Sequence, residues 1–315
     1  MLRYLGTLFD TEAGRGYRPF LKEEWKQINN RDMVFANQGT LFSEITEREL
    51  RRAESTAYQL GKKQIVAEIF ENRESQSRKK ERPIGFYYAN GVNRLCLEKP
   101  LEEEKKQYYM RLGFFLGEGR ILPQMALFEP QEEDCRMFSK YGIPFHILTD
   151  TGMTKYGTEA EGKIRCGRGS YEYLVLPSEA VLGTVAEECI RSFAENGGKL
   201  LLLGEPPVSR THPEQGCLPL DSNCTFGDIA REQVYRCKNA ETEIYSTYRK
   251  LNEMGILYAV NASQTRTYTQ TFEMGEKVHS FLRLNLMDFT TKQIPLTFRM
   301  RPGEEVLLIP YGKTV

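Results

Sequence analysis

Apolar positions along the chain change their rhythm twice, and the changes divide it into three blocks. In the first, residues 1–124, charged helical stretches alternate with very short apolar runs. Thr46 to Leu60 carries helix punctuation at both ends: Thr46 and Glu49 form a T-x-x-E capping box, and Gly61 supplies the stop. Gln64-Ile65-Val66-Ala67 follows as a short strand with Glu68 at its C-terminal end. Residues 71–82 are polar and aperiodic and read as a surface loop. A short helix ending at Gly91 then leads into a second strand, Val92 to Leu97, ended by Glu98, and a long helix from Leu101 to Leu116 closes at Gly117 and Gly119. Helix and strand alternating in this way is the rhythm of consecutive βα units, and a partial β/α barrel-like region is expected.

The second block, residues 125–240, holds the clearest local pattern. Tyr173-Leu-Val-Leu176 is apolar without alternation, which marks a strand covered on both faces. Glu179 to Asn196 reads as a helix with Val181, Val185, Cys189 and Phe193 on one side, stopped by Gly197-Gly198, and Lys199 to Leu203 is the next buried strand. Met125 to Phe128 and Phe145 to Leu148 join the same parallel sheet, as in a flavodoxin-like or amidotransferase-like α/β domain. The third block, residues 241–315, has strand patterns at Tyr258 to Asn261, Arg266 to Phe272, Val278 to Leu286, Ile294 to Met300 and Val306 to Ile309, with a turn at Pro302-Gly303. A small antiparallel β-sandwich-like domain is expected there. The fold class is therefore α/β overall.

Composition narrows the function classes. Lys plus Arg balances Asp plus Glu, 43 against 43, so no global field draws the chain to nucleic acid or to an anionic membrane. Seven cysteines without C-x-x-C spacing argue against a disulfide framework and a zinc site and fit reduced thiols, hence a cytoplasmic protein. Met1 to Asp10 lacks the apolar core of a signal peptide.

Glu68 is the sharpest chemical candidate. Strand ends in a β/α barrel face the open mouth, and a glycosidase needs two carboxyl groups across the scissile bond. The bland alternative is a loop-capping Glu, or one paired with Lys62, Lys63 or Arg94. Glu98 could neighbour Glu68, or simply open the acidic start of the following helix. Asn93 and Arg94 could hydrogen-bond substrate hydroxyls or serve as turn and surface residues. Trp25 reads either as part of a sugar platform or as the anchor of a short helix. The glycine-rich loop around Cys166 precedes a strand rather than a helix, so it reads as a β-turn and not a phosphate cradle. No G-x-C-x-G elbow joins a strand to a helix, and His146, His212 and His279 are too dispersed for a triad. No cofactor and no metal is expected.

Taken in order, A-E-S-T-A-Y-Q-L-G-K-K-Q-I-V-A-E-I-F, A-N-G-V-N-R-L, Y-Y-M-R-L-G-F-F-L-G-E-G, Y-E-Y-L-V-L-P, N-G-G-K-L-L-L-L-G-E-P-P and L-Y-A-V-N-A-S resemble the C-terminal half of bacterial α-L-rhamnosidase-like glycoside hydrolases, family 106 and relatives. The resemblance covers most of residues 46 to 312 in order and pattern. It implies the end of a TIM barrel, a flavodoxin-like or amidotransferase-like domain and a β-sandwich, with Glu68 matching an active-site carboxylate. Relatives are several times longer, place a His where this chain has Glu98, and carry a long insertion where it has Lys99-Pro100. The resemblance thus implies a carbohydrate ligand and a barrel incomplete as a stand-alone catalyst. The missing strands would come from a complementing chain or a homo-oligomer. The alternative is a non-catalytic carbohydrate-binding or structural scaffold.

Overall fold

The computed structural model describes residues 15–27, 31–36, 45–69, 82–119, 123–178, 180–213, 216–238, 242–275 and 277–312. Three sheet systems follow one another along these residues.

The first is a four-stranded parallel sheet of β1 (Phe20–Leu21), β2 (Met33–Phe35), β3 (Gln64–Ile69) and β4 (Arg94–Leu97), in the spatial order β1-β4-β3-β2. Its faces separate cleanly by the alternation of side chains along a strand. Ile65, Ala67, Leu95 and Leu97 join the large core beneath three helices, α1 (Glu47–Gln59), α2 (Ile84–Ala89) and α3 (Glu103–Glu118). Val66 and Cys96 face the other way, with Phe20 and Met33, into a small cluster closed by Trp25 and Phe35. The reciprocal box of Thr46 and Glu49 starts α1 as expected, and Gly61 follows its end at φ 69°. Two boundaries differ from the sequence reading. β3 runs through Glu68 to Ile69, because the ladder with β4 continues to Leu97. Helix α3 passes through Gly117, where the ring of Tyr17 occupies the space a Cβ would need. The loop read over 71–82 lies, Arg82 apart, outside the described residues.

The second system has β5 (Met125–Phe128), α4 (Glu132–Lys140), β6 (His146–Leu148) and α5 (Asp150–Tyr156). A three-stranded antiparallel sheet follows, β7 (Gly157–Ala160), β8 (Lys163–Cys166) and β9 (Gly169–Tyr171), and its last turn holds the glycine-rich loop, with Gly167 at φ 57°. Then come β10 (Tyr173–Leu176), β11 (Val181–Leu182), α6 (Thr184–Glu195), β12 (Lys199–Leu202), β13 (Val208–Ser209) and α7 (Phe226–Arg231). The parallel sheet runs β12-β10-β5-β6, with β11 and β13 as a separate parallel pair. Every residue of β10 and β5 is buried, as an apolar run without alternation requires. Helix α6 starts at Thr184, later than the sequence pattern suggested, because Val181 and Leu182 pair with β13 instead.

The third system is antiparallel. β15 (Ile244–Leu251), β16 (Met254–Asn261), β18 (Ser280–Leu284), β19 (Thr291–Pro295) and β21 (Glu305–Tyr311) form a sheet ordered β15-β16-β21-β18-β19. Opposite it lie β14 (Tyr235–Cys237), β17 (Tyr268–Met274) and β20 (Thr297–Met300). The run read as one strand over Ile294 to Met300 is two, β19 and β20, in different sheets. It breaks after Pro295, which has no N–H to give a ladder. Leu257, Phe272, Phe281, Met300 and Leu308 fill the space between the two sheets. The outer face of the larger one, through Ile256, Tyr258, Val260 and Leu307, shares the core of the first block. The third system is thereby welded to the first, and turns of both border one cleft.

Candidate functional site

The C-terminal ends of β3 and β4 lie side by side, with Glu68 opposite Cys96 and Ile69 opposite Leu97. Alternation puts Glu68 on the face of Val66 and Cys96, at the rim of the cluster closed by Trp25. Glu68 is half-buried. Burial first, and the Glu68 charge second, push the Cys96 thiol up to about 11, so that thiol stays protonated at neutral pH. Trp25 stacks on Phe20 at 6.1 Å between ring centroids and meets Phe35 edge-on at 4.6 Å. It comes from the 3-10 turn Lys22–Gln27, and in this position it packs as the anchor of that turn.

Asn93 and Arg94 sit at the opposite end of the strands. The Asn93 side chain accepts from Ile65 N–H at 3.0 Å and donates to Lys63 carbonyl oxygen at 2.8 Å, tying β4 to the start of β3. The Arg94 guanidinium donates to Gln64 Oε1 at 2.8 Å and to the Arg18 carbonyl at 3.0 Å, and lies over the Phe20 ring. Its pKa falls to about 10, chiefly through burial. These two side chains brace the sheet's entry end, while Glu68 and Glu98 occupy its exit end.

Glu98 follows β4, is exposed, and lines a cleft of about 590 Å³ between the exit end of the sheet and two turns of the third system. Ile69, Ile84, Leu97 and Leu101 contribute an aliphatic surface, and Arg82, Glu98, Lys99, Ser263 and Gln264 the polar groups. Space of this size and mixed lining is the usual form of a small-molecule site. Because its walls come from five separated stretches of the chain, local sequence pattern gave no sign of it.

A second polar cluster is also absent from the sequence reading. Glu54 of α1 accepts from Arg51 at 3.1 Å and from Arg249 of β15 at 2.5 Å, and all three residues are buried. Burial alone would raise the Glu54 pKa, but the two guanidiniums outweigh it and hold the carboxyl below its ordinary value. Nearby, His146 on β6 is held neutral, its pKa driven down to about 4 mainly by burial, and its Nδ1 lies 2.9 Å from the Tyr171 hydroxyl. These residues join α1, β6 and β15, one element from each system. Glu305 forms a comparable clasp. It accepts from the hydroxyls of Tyr108, Tyr109 and Tyr258 at 3.1, 3.2 and 2.8 Å, and burial raises its pKa.

Among the described residues no group of three or more His, Cys, Asp or Glu is placed to hold a metal ion. Nor is any helix among them long and apolar enough to cross a membrane.

No family model matches the chain, and no curated protein does. Solved structures do. A rhamnosidase from Novosphingobium sp. PP1Y superposes over 95% of this chain and 35% of its own, with TM-score 0.62 and 12% identity. An exo-carrageenase of family GH42 from Bacteroides ovatus superposes over 84% of this chain and 44% of its own, with TM-score 0.52 and 9% identity. The fold is glycoside-hydrolase-like. The chain spans about a third of the first of these proteins and less than half of the second. At such low identity the likeness concerns the backbone.

Proposed function

We propose that the chain is a glycoside-hydrolase-like protein acting on glycosides, α-L-rhamnosides first among them, with Glu68 as general base or nucleophile. The observation that carries this reading is the position of Glu68 at the C-terminal end of a parallel strand, where β/α enzymes gather their chemistry. The family 106 pattern and the superposition on a rhamnosidase support the choice of sugar. Asn93 and Arg94 act in this reading by fixing the sheet, and Glu98 by meeting the ligand. Among the described residues this sheet has four strands and is open, and in this reading a complementing chain or a second copy adds strands to it.

One observation favours a second reading, a non-catalytic carbohydrate-binding scaffold. Glu68 and Glu98, the carboxylates at or directly after the C-terminal ends of the described strands of this sheet, are split between its two sides. Glu68 is on the face of Val66 and Cys96, and Glu98 is in the cleft lined by Ile69 and Leu97. Hydrolysis needs two carboxyl groups flanking one bond, at about 5–5.5 Å or about 6.5–9.5 Å from each other.

A panel of p-nitrophenyl glycosides separates the readings. Release of p-nitrophenol by the wild type that vanishes in Glu68→Gln establishes the hydrolase. Saturable binding without release leaves the scaffold, and neither binding nor release by folded protein removes both.

A further inference from the structure

We infer that this protein binds its glycoside not on the barrel-like face of the first sheet but in the cleft between that sheet and the antiparallel third system, with Glu98 as the carboxylate that meets the sugar. The inference rests on the carbohydrate-binding part of the reading above. It places the sugar on the side of the sheet opposite Glu68, and so goes with the scaffold reading rather than with Glu68 as base or nucleophile on that sugar.

Three observations lead there. First, the face that a closed barrel would enclose is already filled. Phe20, Met33, Val66 and Cys96 are all buried, and Trp25 and Phe35 close the cluster. A ligand approaching that face meets packed aromatic rings. Second, the open volume at the exit end of β3 and β4 lies on the opposite face, where Ile69 and Leu97 point. About 590 Å³ accommodates one or two pyranose rings, within the range of small-molecule sites.

Third, the lining matches the two-sided chemistry of a sugar. A pyranose presents a C–H face and a hydroxyl edge. Ile69, Ile84, Leu97 and Leu101 give aliphatic surface for the first. Glu98 on one wall and Gln264 on the other give acceptors and donors for the second. A carboxylate accepting from two neighbouring hydroxyls makes charge-assisted bonds, which are roughly twice as strong as neutral ones. The aliphatic share of the lining favours a sugar with an apolar substituent, such as a deoxy position or an aryl aglycone. Because the walls come from two systems, the ligand bridges them and would stiffen their junction.

The test is methyl NMR on Ile- and Leu-labelled full-length protein, titrated with p-nitrophenyl α-L-rhamnopyranoside and, separately, with p-nitrophenyl β-D-galactopyranoside. Saturable shifts are expected at the methyls of Ile69, Ile84, Leu97 and Leu101. Gln264→Trp fills the cleft from an exposed position and should weaken binding at least about tenfold, and Glu98→Gln should weaken it by about the same factor. Shifts confined to other methyls, or affinity unchanged in Gln264→Trp, would overturn the inference, as would the absence of saturable shifts with both probes. The two readings fail separately. Binding in the cleft without hydrolysis removes the catalytic reading alone, whereas Glu68-dependent hydrolysis that Gln264→Trp leaves intact removes the cleft alone.

Discussion

Replacing Glu54 with Gln should be among the most destabilising single changes available in this protein. The carboxylate lies between two buried guanidiniums, 3.1 Å from Arg51 and 2.5 Å from Arg249, and Glu54 itself is only 3% exposed. Arg249 has little else to turn to, while Arg51 also feels the buried carboxylate of Glu47. The Nε atoms of both are buried without a hydrogen-bond partner, and Arg51 has one further acceptor, the Ala89 carbonyl at 3.3 Å. Removing one partner of a buried pair costs about 3–5 kcal/mol, because the remaining charge stays buried without compensation. Glu47 still faces Arg51, so Glu54→Gln falls within that range with Arg249 as the charge left uncompensated. The assay is urea unfolding followed by far-UV circular dichroism, since guanidinium chloride would screen the charges under test. The triple variant Arg51→Met, Glu54→Leu, Arg249→Met removes these three charges together and should be more stable than Glu54→Gln, although it also takes Arg51 away from Glu47. The same network sets an acid limit. Because the folded Glu54 pKa is lowered, its contribution is complete above the unfolded carboxylate value of about 4.3 and is lost as pH falls through the folded one. A Glu54→Gln loss below about 1 kcal/mol, the size of an exposed ion pair, would refute the reasoning.

Other consequences follow from single side chains. Asn93→Ala leaves the Ile65 N–H and the Lys63 carbonyl unpaired and should cost about 1–3 kcal/mol in the same assay. Burial raises the Glu305 pKa above its unfolded value, so ionising it costs stability as pH rises through the folded value. Glu305→Gln cannot ionise, and its deficit relative to wild type should be greatest near about pH 4 and shrink toward about pH 8. Iodoacetamide on native protein at mildly alkaline pH should label exposed Cys217 before Cys96, whose thiol is buried and protonated. Mass spectrometry of the alkylated peptides reads the order.

The parts of the fold legible in the sequence were those whose cause is local. Thr46, Glu49 and Gly61 delimit a helix through their own caps and turn, and Tyr173 to Leu176 declares a strand covered on both faces by having no polar member. Glu68 was legible as a strand-end carboxylate, but the face it takes was not. Ile65, Val66 and Ala67 are all buried, so they show no alternation to read it from. The hairpin of β8 and β9 was half visible, since Gly167 marked the turn while Lys163 and Arg165 hid the strand. The ionic cluster was invisible because Glu54 and Arg249 are 195 residues apart, and each looks like a solvated charge in its own neighbourhood. The cleft escaped for the same reason, its walls meeting only after the first and third systems pack.

The most direct test of the central claim is chemical rescue at Glu68. Release of p-nitrophenol from p-nitrophenyl α-L-rhamnopyranoside should fall to background in Glu68→Ala and recover with added formate or azide, which supply the missing base or nucleophile. Equal release by wild type and Glu68→Ala, or a loss that no small anion restores in a variant with native circular dichroism, would contradict the account.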